Sequence, residues 1–308
     1  VSEKDWAAFV TIVEEGNISK AAEKLFLSQP ALSYRIKQIE DDIKTHLFLR
    51  TNGGIMLTPQ GEIYYDYCRR MMNERELLKE QMGNLTGEIQ GTLKIASSIN
   101  FADYELPVLL NTFTQMYPRV RIQVKTGYSY QVSKLFNMGD YMLAFARGSY
   151  KGAGSAIKLL EEPYCLVYHR KVSYEELPNL PLIRYTSDPT INLSIESWCS
   201  DHLPTTPIPS MELDSMATCR HFVREGLGWA ILPYMGLGSC KEGNIYVEPL
   251  TLKNGEKLTR STSLFYDENS LNLKAVRTFV DYVHQYYENR NYTNIGEKPD
   301  ISQFVSAQ

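Results

Sequence analysis

No apolar run in this chain approaches the ~20 residues a membrane-spanning helix needs. The start, Val1-Ser2-Glu3-Lys4-Asp5-Trp6, lacks the basic-then-apolar pattern of a secretory signal. No membrane partner is therefore expected, and a cytoplasmic location is. The five cysteines (Cys68, Cys165, Cys199, Cys219, Cys240) are far apart and form no CxxC pair. They read as reduced, buried thiols and not as a disulfide framework or zinc ligands. The five histidines (His46, His169, His202, His221, His284) show no metal-ligand spacing. GxGxxG, a P-loop and GxSxG are all missing, so dinucleotide, nucleoside-triphosphate and serine-hydrolase chemistry have no starting point. No cofactor and no metal are expected. A positive balance is missing too. Net charge is −4, and the first 90 residues hold 11 Lys and Arg against 14 Asp and Glu. This argues only weakly against nucleic acid, because a phosphate footprint depends on where the charges point.

What is present is a soluble-globular composition, 43% hydrophobic and 22% charged over 308 residues, enough for two to three domains. The informative stretch runs from Asn17 to Gly61. Leu32, Ile36, Ile39 and Ile43 recur at steps of four, three and four, which puts them on one face of a helix. Ser28 is a good N-cap, and Pro30 sits in the first turn, where a missing N–H costs little. The opposite face shows Gln29, Pro30, Ser33, Tyr34 and Lys37, side chains suited to base edges and phosphates. A shorter helix with Ile18, Ala21, Ala22 and Leu25 inward, capped by Asn17, precedes it across a tight Phe26-Leu27 connection. Phe48-Leu49-Arg50 and Ile55-Met56-Leu57 flank an Asn-Gly turn, a hairpin signal. The pattern predicts a helix-turn-helix with a wing.

The string AAEKLFLSQPALSYRIKQIEDDI, then LFLR, then LTPQG, closely resembles the N-terminal winged helix-turn-helix of LysR-type transcriptional regulators. The resemblance implies that double-stranded DNA is read by Ser28, Gln29, Pro30, Ser33, Tyr34, Arg35 and Lys37 on the helix, and by Arg50 and Asn52 on the wing. Three positions depart from the family pattern. Tyr34 stands where Arg is common, with Arg35 next door. Asn52-Gly53-Gly54 replaces the basic wing tip. Lys44 replaces the glycine after the third helix, so Lys44 or Thr45 must make that turn at some strain.

From Pro59 to about Asn84 the pattern predicts a long helix. Thr58 is its cap, and Tyr64, Met71, Leu78 and Leu85 repeat every seven residues, a seam suited to a second copy. Two recognition helices held this way would read near-palindromic half-sites. Gly83 to Gly91 reads as a hinge. Beyond it strands and helices alternate. Strands are expected at Leu93–Ala96, Val120–Val124, Met142–Ala146, Cys165–Tyr168, Leu182–Tyr185, Ala230–Pro233 and Ser263–Tyr266. Helices are expected at Leu106–Met116, Val132–Met138, Ile195–His202, Met216–Glu225 and Leu273–Tyr287. Repeated βαβ units imply a parallel sheet covered by helices. The residues after about Asn291 are polar and expected to be mobile.

The segment Val223-Arg224-Glu225-Gly226-Leu227-Gly228-Trp229-Ala230-Ile231-Leu232-Pro233 resembles the stretch near the second crossover of LysR-type effector domains. The expected fold is therefore α+β and multi-domain. A winged helix-turn-helix (1–58) and a linker, or dimerisation, helix with its hinge (59–90) precede a periplasmic-binding-protein-like (type 2) α/β effector domain (91–308). Its two subdomains are expected at about 91–161 with 268–308, and at about 162–267. The crossings are placed near Glu161–Tyr164 and Phe265–Asn269. Ligands of open α/β sheets bind beyond the C-terminal ends of strands. Those ends carry Ser97, Ser98 and Asn100, then Thr126, Tyr128 and Ser129, then Arg147, with Asp214 and Ser215 from the second subdomain. Hydroxyls beside Arg147 favour an anionic effector, although each serine could equally be only a helix cap. The expected protein is a DNA-binding regulator gated by a small molecule, a homodimer through 59–84 and on to a tetramer, and not an enzyme. An α/β enzyme or a solute-binding domain fused to a helix-turn-helix module is the alternative.

Overall fold

The computed structural model describes residues 2–51, 54–83, 89–148, 154–186, 189–237, 245–288 and 290. The chain divides into two compact units, Val1–Glu88 with Asn137–Tyr141, and Ile89–Phe136 with Met142–Gln308.

The first unit opens with α1 (Glu3–Glu15), α2 (Ile18–Lys24) and α3 (Gln29–Ile43). Gly16 ends α1 at φ 62, the left-handed conformation open to a residue without Cβ. Asn17 then accepts hydrogen bonds from the N–H groups of Ser19 and Lys20, starting α2 at once. The hairpin β1 (Phe48–Thr51) and β2 (Gly54–Leu57) pairs antiparallel. Phe9, Ile12, Leu32, Ile36, Ile39 and Leu47 bury one shared core, which Tyr64 and Cys68 close from α4 (Pro59–Gly83). Two details fix where the wing meets α4. The Thr58 hydroxyl donates to the His46 carbonyl at 2.8 Å and accepts the Gly61 N–H at 2.9 Å. A Cβ on Gly61 would lie 2.1 Å from the Leu47 carbonyl oxygen, so only glycine lets the helix approach this closely.

The second unit is built on one nine-stranded sheet. In chain order come β3 (Gly91–Ser98), α5 (Ile99–Tyr104), α6 (Leu106–Met116), β4 (Val120–Gly127), α7 (Ser129–Asn137), β5 (Leu143–Arg147) and β6 (Ser155–Tyr168). Then follow β7 (Leu182–Tyr185), α8 (Pro189–His202), β8 (Pro209–Leu213), α9 (Met216–Arg224) and β9 (Trp229–Pro233). The last elements are β10 (Tyr246–Pro249), β11 (Thr259–Tyr266) and α10 (Lys274–Tyr287). The strand order is β4-β3-β5-β11-β6-β9-β7-β8, with β10 also on β6. Tyr164, Leu166 and Tyr168 face one core with Trp198 and Trp229, and Cys165 and Val167 face the other with Cys219 and Val223. That alternation is why the run Cys165–Tyr168 is apolar throughout: the strand is buried on both faces.

Three expectations change. The sheet is not simply parallel. Its flanks are (β3 with β4 and β5, β7 with β8 and β9), but β11 runs antiparallel to both β5 and β6. The strand expected at Cys165 begins ten residues earlier, at Ser155. The second crossing is not at Phe265–Asn269, because Thr262–Tyr266 already pair with β5, which places the crossing just before Thr262. Edge and crossover strands take their course from their partners, and local pattern does not encode this. The α5 helix and strands β8 and β10 were not expected at all. Residues 84–88 of the expected hinge and those from 291 onward lie outside the described residues.

Candidate functional site

In the first unit, α3 buries Leu32, Ile36 and Ile39 and leaves Ser28, Gln29, Pro30, Tyr34 and Lys37 exposed, with Ser33 half-buried between them. The Ser28 hydroxyl accepts the Ala31 N–H at 3.4 Å, so it caps the helix while standing at its outer end. Tyr34 is 64% exposed. Arg35 does not join this surface. Its guanidinium donates to the Lys4 carbonyl at 3.2 Å and pairs with Asp5 at 3.6 Å, tying α3 to α1. It therefore does not replace the arginine missing at position 34. Glu40, an acid near the end of α3, is turned inward and accepts the Leu47 N–H at 2.7 Å. Lys44 makes the left-handed turn at φ 59, as expected, and Phe26 makes another at φ 55 while 96% exposed. The Arg50 side chain and Asn52 lie outside the described residues.

In the second unit a cavity of about 260 Å³ lies at the ends of β3, β4, β5 and β7. Of the expected residues it brings together Ser98, Asn100, Tyr128, Ser129 and Arg147. Four others do not line it. Ser97 is buried with its hydroxyl on the Ser98 carbonyl, Thr126 and Asp214 are exposed, and Ser215 caps α9 by accepting the Thr218 N–H. Arg260 and Tyr185, which the sequence reading passed over, do line it. Asn100 donates to the Tyr185 hydroxyl at 3.1 Å, linking the two sides of the cavity.

Register explains the charges. Thr262 faces Arg147 on β5, and Arg260, two residues earlier on β11, faces Glu162 on β6. Period-two alternation puts all of these on one face of the sheet. Arg147, 2% exposed, donates to Glu162, which is fully buried. The other Glu162 oxygen accepts the Met235 N–H. Arg260 donates to the Arg147 carbonyl at 3.0 Å and to the Tyr164 hydroxyl at 3.1 Å. The Ser129 hydroxyl accepts the Arg147 N–H at 3.1 Å. Burial pushes the Glu162 carboxyl up, while Arg147, the Met235 N–H and Arg260 hold it down. The Ser98 hydroxyl and Arg147 Nε are buried with no hydrogen-bond partner among the described residues. Buried polar atoms are rarely left so unless a ligand or water takes them.

A second cavity, about 270 Å³, lies under α8, lined largely by Leu182, Ile195, Pro207 and Ile231. No buried unpartnered polar atom points into it among the described residues. Cys68, Cys165, Cys199 and Cys219 are buried and free. Burial pushes the thiols of Cys68 and Cys199 up to about 11 and those of Cys165 and Cys219 up to about 12, so they stay protonated and unreactive near neutrality. Cys240 lies outside the described residues. No group of acids, histidines and cysteines suited to a metal occurs among the described residues, and none of their helices is long and apolar enough to cross a membrane.

A helix-turn-helix head with a wing, joined to a doubly crossed α/β domain with a cavity in its cleft, is the architecture of a transcription regulator that carries a small-molecule-binding type of domain after its DNA-binding head. The family comparisons agree. Residues 4–62 match the bacterial regulatory helix-turn-helix protein, lysR family, and residues 86–288 match the LysR substrate binding domain. The HTH-type transcriptional regulator YraN of Bacillus subtilis is 38% identical over 283 residues, covering 92% of this chain and 97% of its own length. The regulator YkuM of the same organism is 32% identical over 284 residues, covering 92% and 96%. Two solved structures share the fold. Full-length OxyR from Pseudomonas aeruginosa has a TM-score of 0.64 at 20% identity, covering 92% of this chain and 97% of that one. Full-length CbnR, solved in complex with its target DNA, has a TM-score of 0.64 at 16% identity, covering 92% and 99%. The chain belongs to the LysR family of transcriptional regulators, with an effector-binding domain after the DNA-binding head. Its relatives and fold neighbours are regulators and not enzymes.

Proposed function

We propose that this regulator binds near-palindromic operator DNA as a homodimer and that a small anionic effector in the cleft changes that binding. In this reading residues 1–58 read DNA, 59–90 bring two copies together, and the chain from 91 onward holds the effector. The observation that carries it is the exposed row Ser28, Gln29, Pro30, Tyr34 and Lys37 on a helix whose other face is fully buried. Any surface helix has a polar outer face, but Ser, Gln, Tyr and Lys side chains at the N-terminal end of the second helix of a helix-turn-helix stand where a major-groove reader makes its contacts. CbnR, which shares the fold, is described with its target DNA. The orphaned Ser98 hydroxyl and Arg147 Nε support an anion in the cleft.

The test is operator binding by the full chain in a mobility-shift titration at fixed salt. Gln29→Ala is expected to weaken specific binding by about 1–3 kcal/mol and to relax preference at one base position. Unchanged affinity and unchanged preference would mean that another face of the head reads the DNA.

A further inference from the structure

Phe26 bears two costs that no contact among the described residues offsets. It ends α2 in the left-handed conformation, at φ 55. Its N–H donates to the Glu23 carbonyl at 3.1 Å, and the N–H of Leu27 donates to the Ala22 carbonyl at 2.9 Å. That pair of bonds marks a helix end where glycine is the usual residue, because a Cβ crowds the backbone there. Gly16 makes the corresponding turn after α1. At position 26 the chain instead accepts strain and carries a phenyl ring, 96% exposed, which gains no burial in return. A single exposed apolar residue is ordinary; one held in a conformation that favours glycine asks for a functional reason.

We infer that Phe26 reads DNA: its ring packs on the 5-methyl group of a thymine in the major groove, beside the base pair read by Gln29. The inference rests on the reading of α3 as the recognition helix. Phe26 to Ala31 are six consecutive exposed residues, so the ring is continuous with the row that starts at Ser28. A recognition helix meets base edges with its N-terminal residues, and Phe26 stands two residues ahead of the Ser28 cap at that end. The six residues, Phe-Leu-Ser-Gln-Pro-Ala, include no Lys or Arg. The cation nearest in sequence, Lys24, is paired with Glu15 at 2.7 Å. Phosphates are met by charges and hydrogen-bond donors, whereas an apolar side chain finds its counterpart in the groove, in the methyl group of thymine. The two backbone hydrogen bonds fix the direction of the Cα–Cβ bond. Only the side-chain rotamers of Phe26 remain to be ordered on binding.

The experiment uses the full chain and a duplex that it selects from a random pool, in mobility-shift titrations at fixed salt. Each thymine of the duplex is replaced in turn by deoxyuridine, which removes one methyl group and keeps every hydrogen-bonding atom. One of these replacements is expected to weaken wild-type binding about fourfold, the worth of one buried methyl group. Phe26→Gly removes the ring and the strain together. It should bind the unmodified duplex about tenfold more weakly and lose all discrimination at that one position. Its N-terminal unit should nevertheless melt a few degrees higher than in wild type, because glycine relieves the turn. Indifference of wild type to deoxyuridine at every position would overturn the inference, and that measurement needs no variant to fold. Three results with Phe26→Gly would do the same. Retained discrimination would give the methyl group to another residue. Undiminished affinity would leave the ring without a role on DNA. A lower melting temperature would show that the ring supports the fold. Gln29→Ala in the same titrations separates the two readings. Relaxed base preference in Gln29→Ala, with no effect of Phe26→Gly, would sink the thymine contact and leave the recognition helix standing. The opposite pattern would remove the register assigned to the helix and keep the contact made by Phe26.

Discussion

At the scale of single residues, three side chains show how much depends on what a residue's neighbours do with it. Arg35 belongs by sequence to the DNA-facing helix, yet it spends its guanidinium on the Lys4 carbonyl and Asp5. Glu40 looks like an acid that repels phosphate, yet it holds the backbone of Leu47 and Phe48. Lys44 is the reverse case, because its strain was readable from the missing glycine alone. At φ 59 a Cβ crowds the backbone, and the capping N–H to the Glu40 carbonyl leaves no alternative. Lys44→Gly is expected to stabilise the N-terminal unit by about 0.5–1 kcal/mol, less than the full left-handed penalty because glycine also gains freedom in the unfolded chain. Urea unfolding of the full chain checks this, and a loss of stability on substitution would show that the lysine side chain makes a contact that outweighs its backbone cost.

Among the elements, α4 shows an unpartnered face most clearly. Ile63 (70% exposed), Tyr67, Leu78 (54%) and Met82 (68%) follow one another at steps of four, eleven and four. Those steps return to nearly the same side of a helix. A single copy leaves this stripe exposed, although Tyr64 and Cys68 nearer the start of the same helix are buried against the core of the head. The double substitution Leu78→Glu with Met82→Glu should convert a dimer to a monomer in a sedimentation or light-scattering measurement at micromolar concentration. It should also cut operator affinity by about tenfold or more, since one half-site is then bound without the other. A variant that stays dimeric would place the pairing surface elsewhere. The crossover strands argue differently. β6 and β11 carry the charged cluster because Arg260 stands opposite Glu162 in unbroken register, the shift between Thr262 and Ser263 falling beyond them.

For the molecule as a whole, the claim to be tested is coupling. Ser98 lines the cavity of the second unit, whereas the DNA-reading helix α3 belongs to the first. Ser98→Ala should therefore abolish the change in operator affinity caused by the effector while leaving the unliganded affinity within about twofold. An effector shifts an equilibrium only by its differential affinity for two states. Mobility-shift titrations with and without a small carboxylate that raises the melting temperature of the full chain supply the measurement. Loss of DNA binding in the absence of any effector would give Ser98 a folding role instead.

The sequence by itself determined the parts whose physics is local. The periodicity of Leu32, Ile36 and Ile39 placed the recognition helix, Asn17, Ser28 and Thr58 placed three helix starts, and Asn52-Gly53 placed the hairpin. Ser98, Asn100, Tyr128, Ser129 and Arg147 were readable because each stands at the end of a strand recognisable from its own residues. Arg260 and Glu162 were not, because β11 and β6 were traced too short. A charged residue at position 162 or 260 looks like a surface residue until the facing strand is known. Their burial and their shared face come from pairings across roughly a hundred residues of chain (Arg260 opposite Glu162). Long-range register, the bulge that adjusts it, and the closure of the cavity by Tyr185 were decided only in the tertiary structure, where side chains remote in sequence share one low-dielectric space and their charges must be reckoned together.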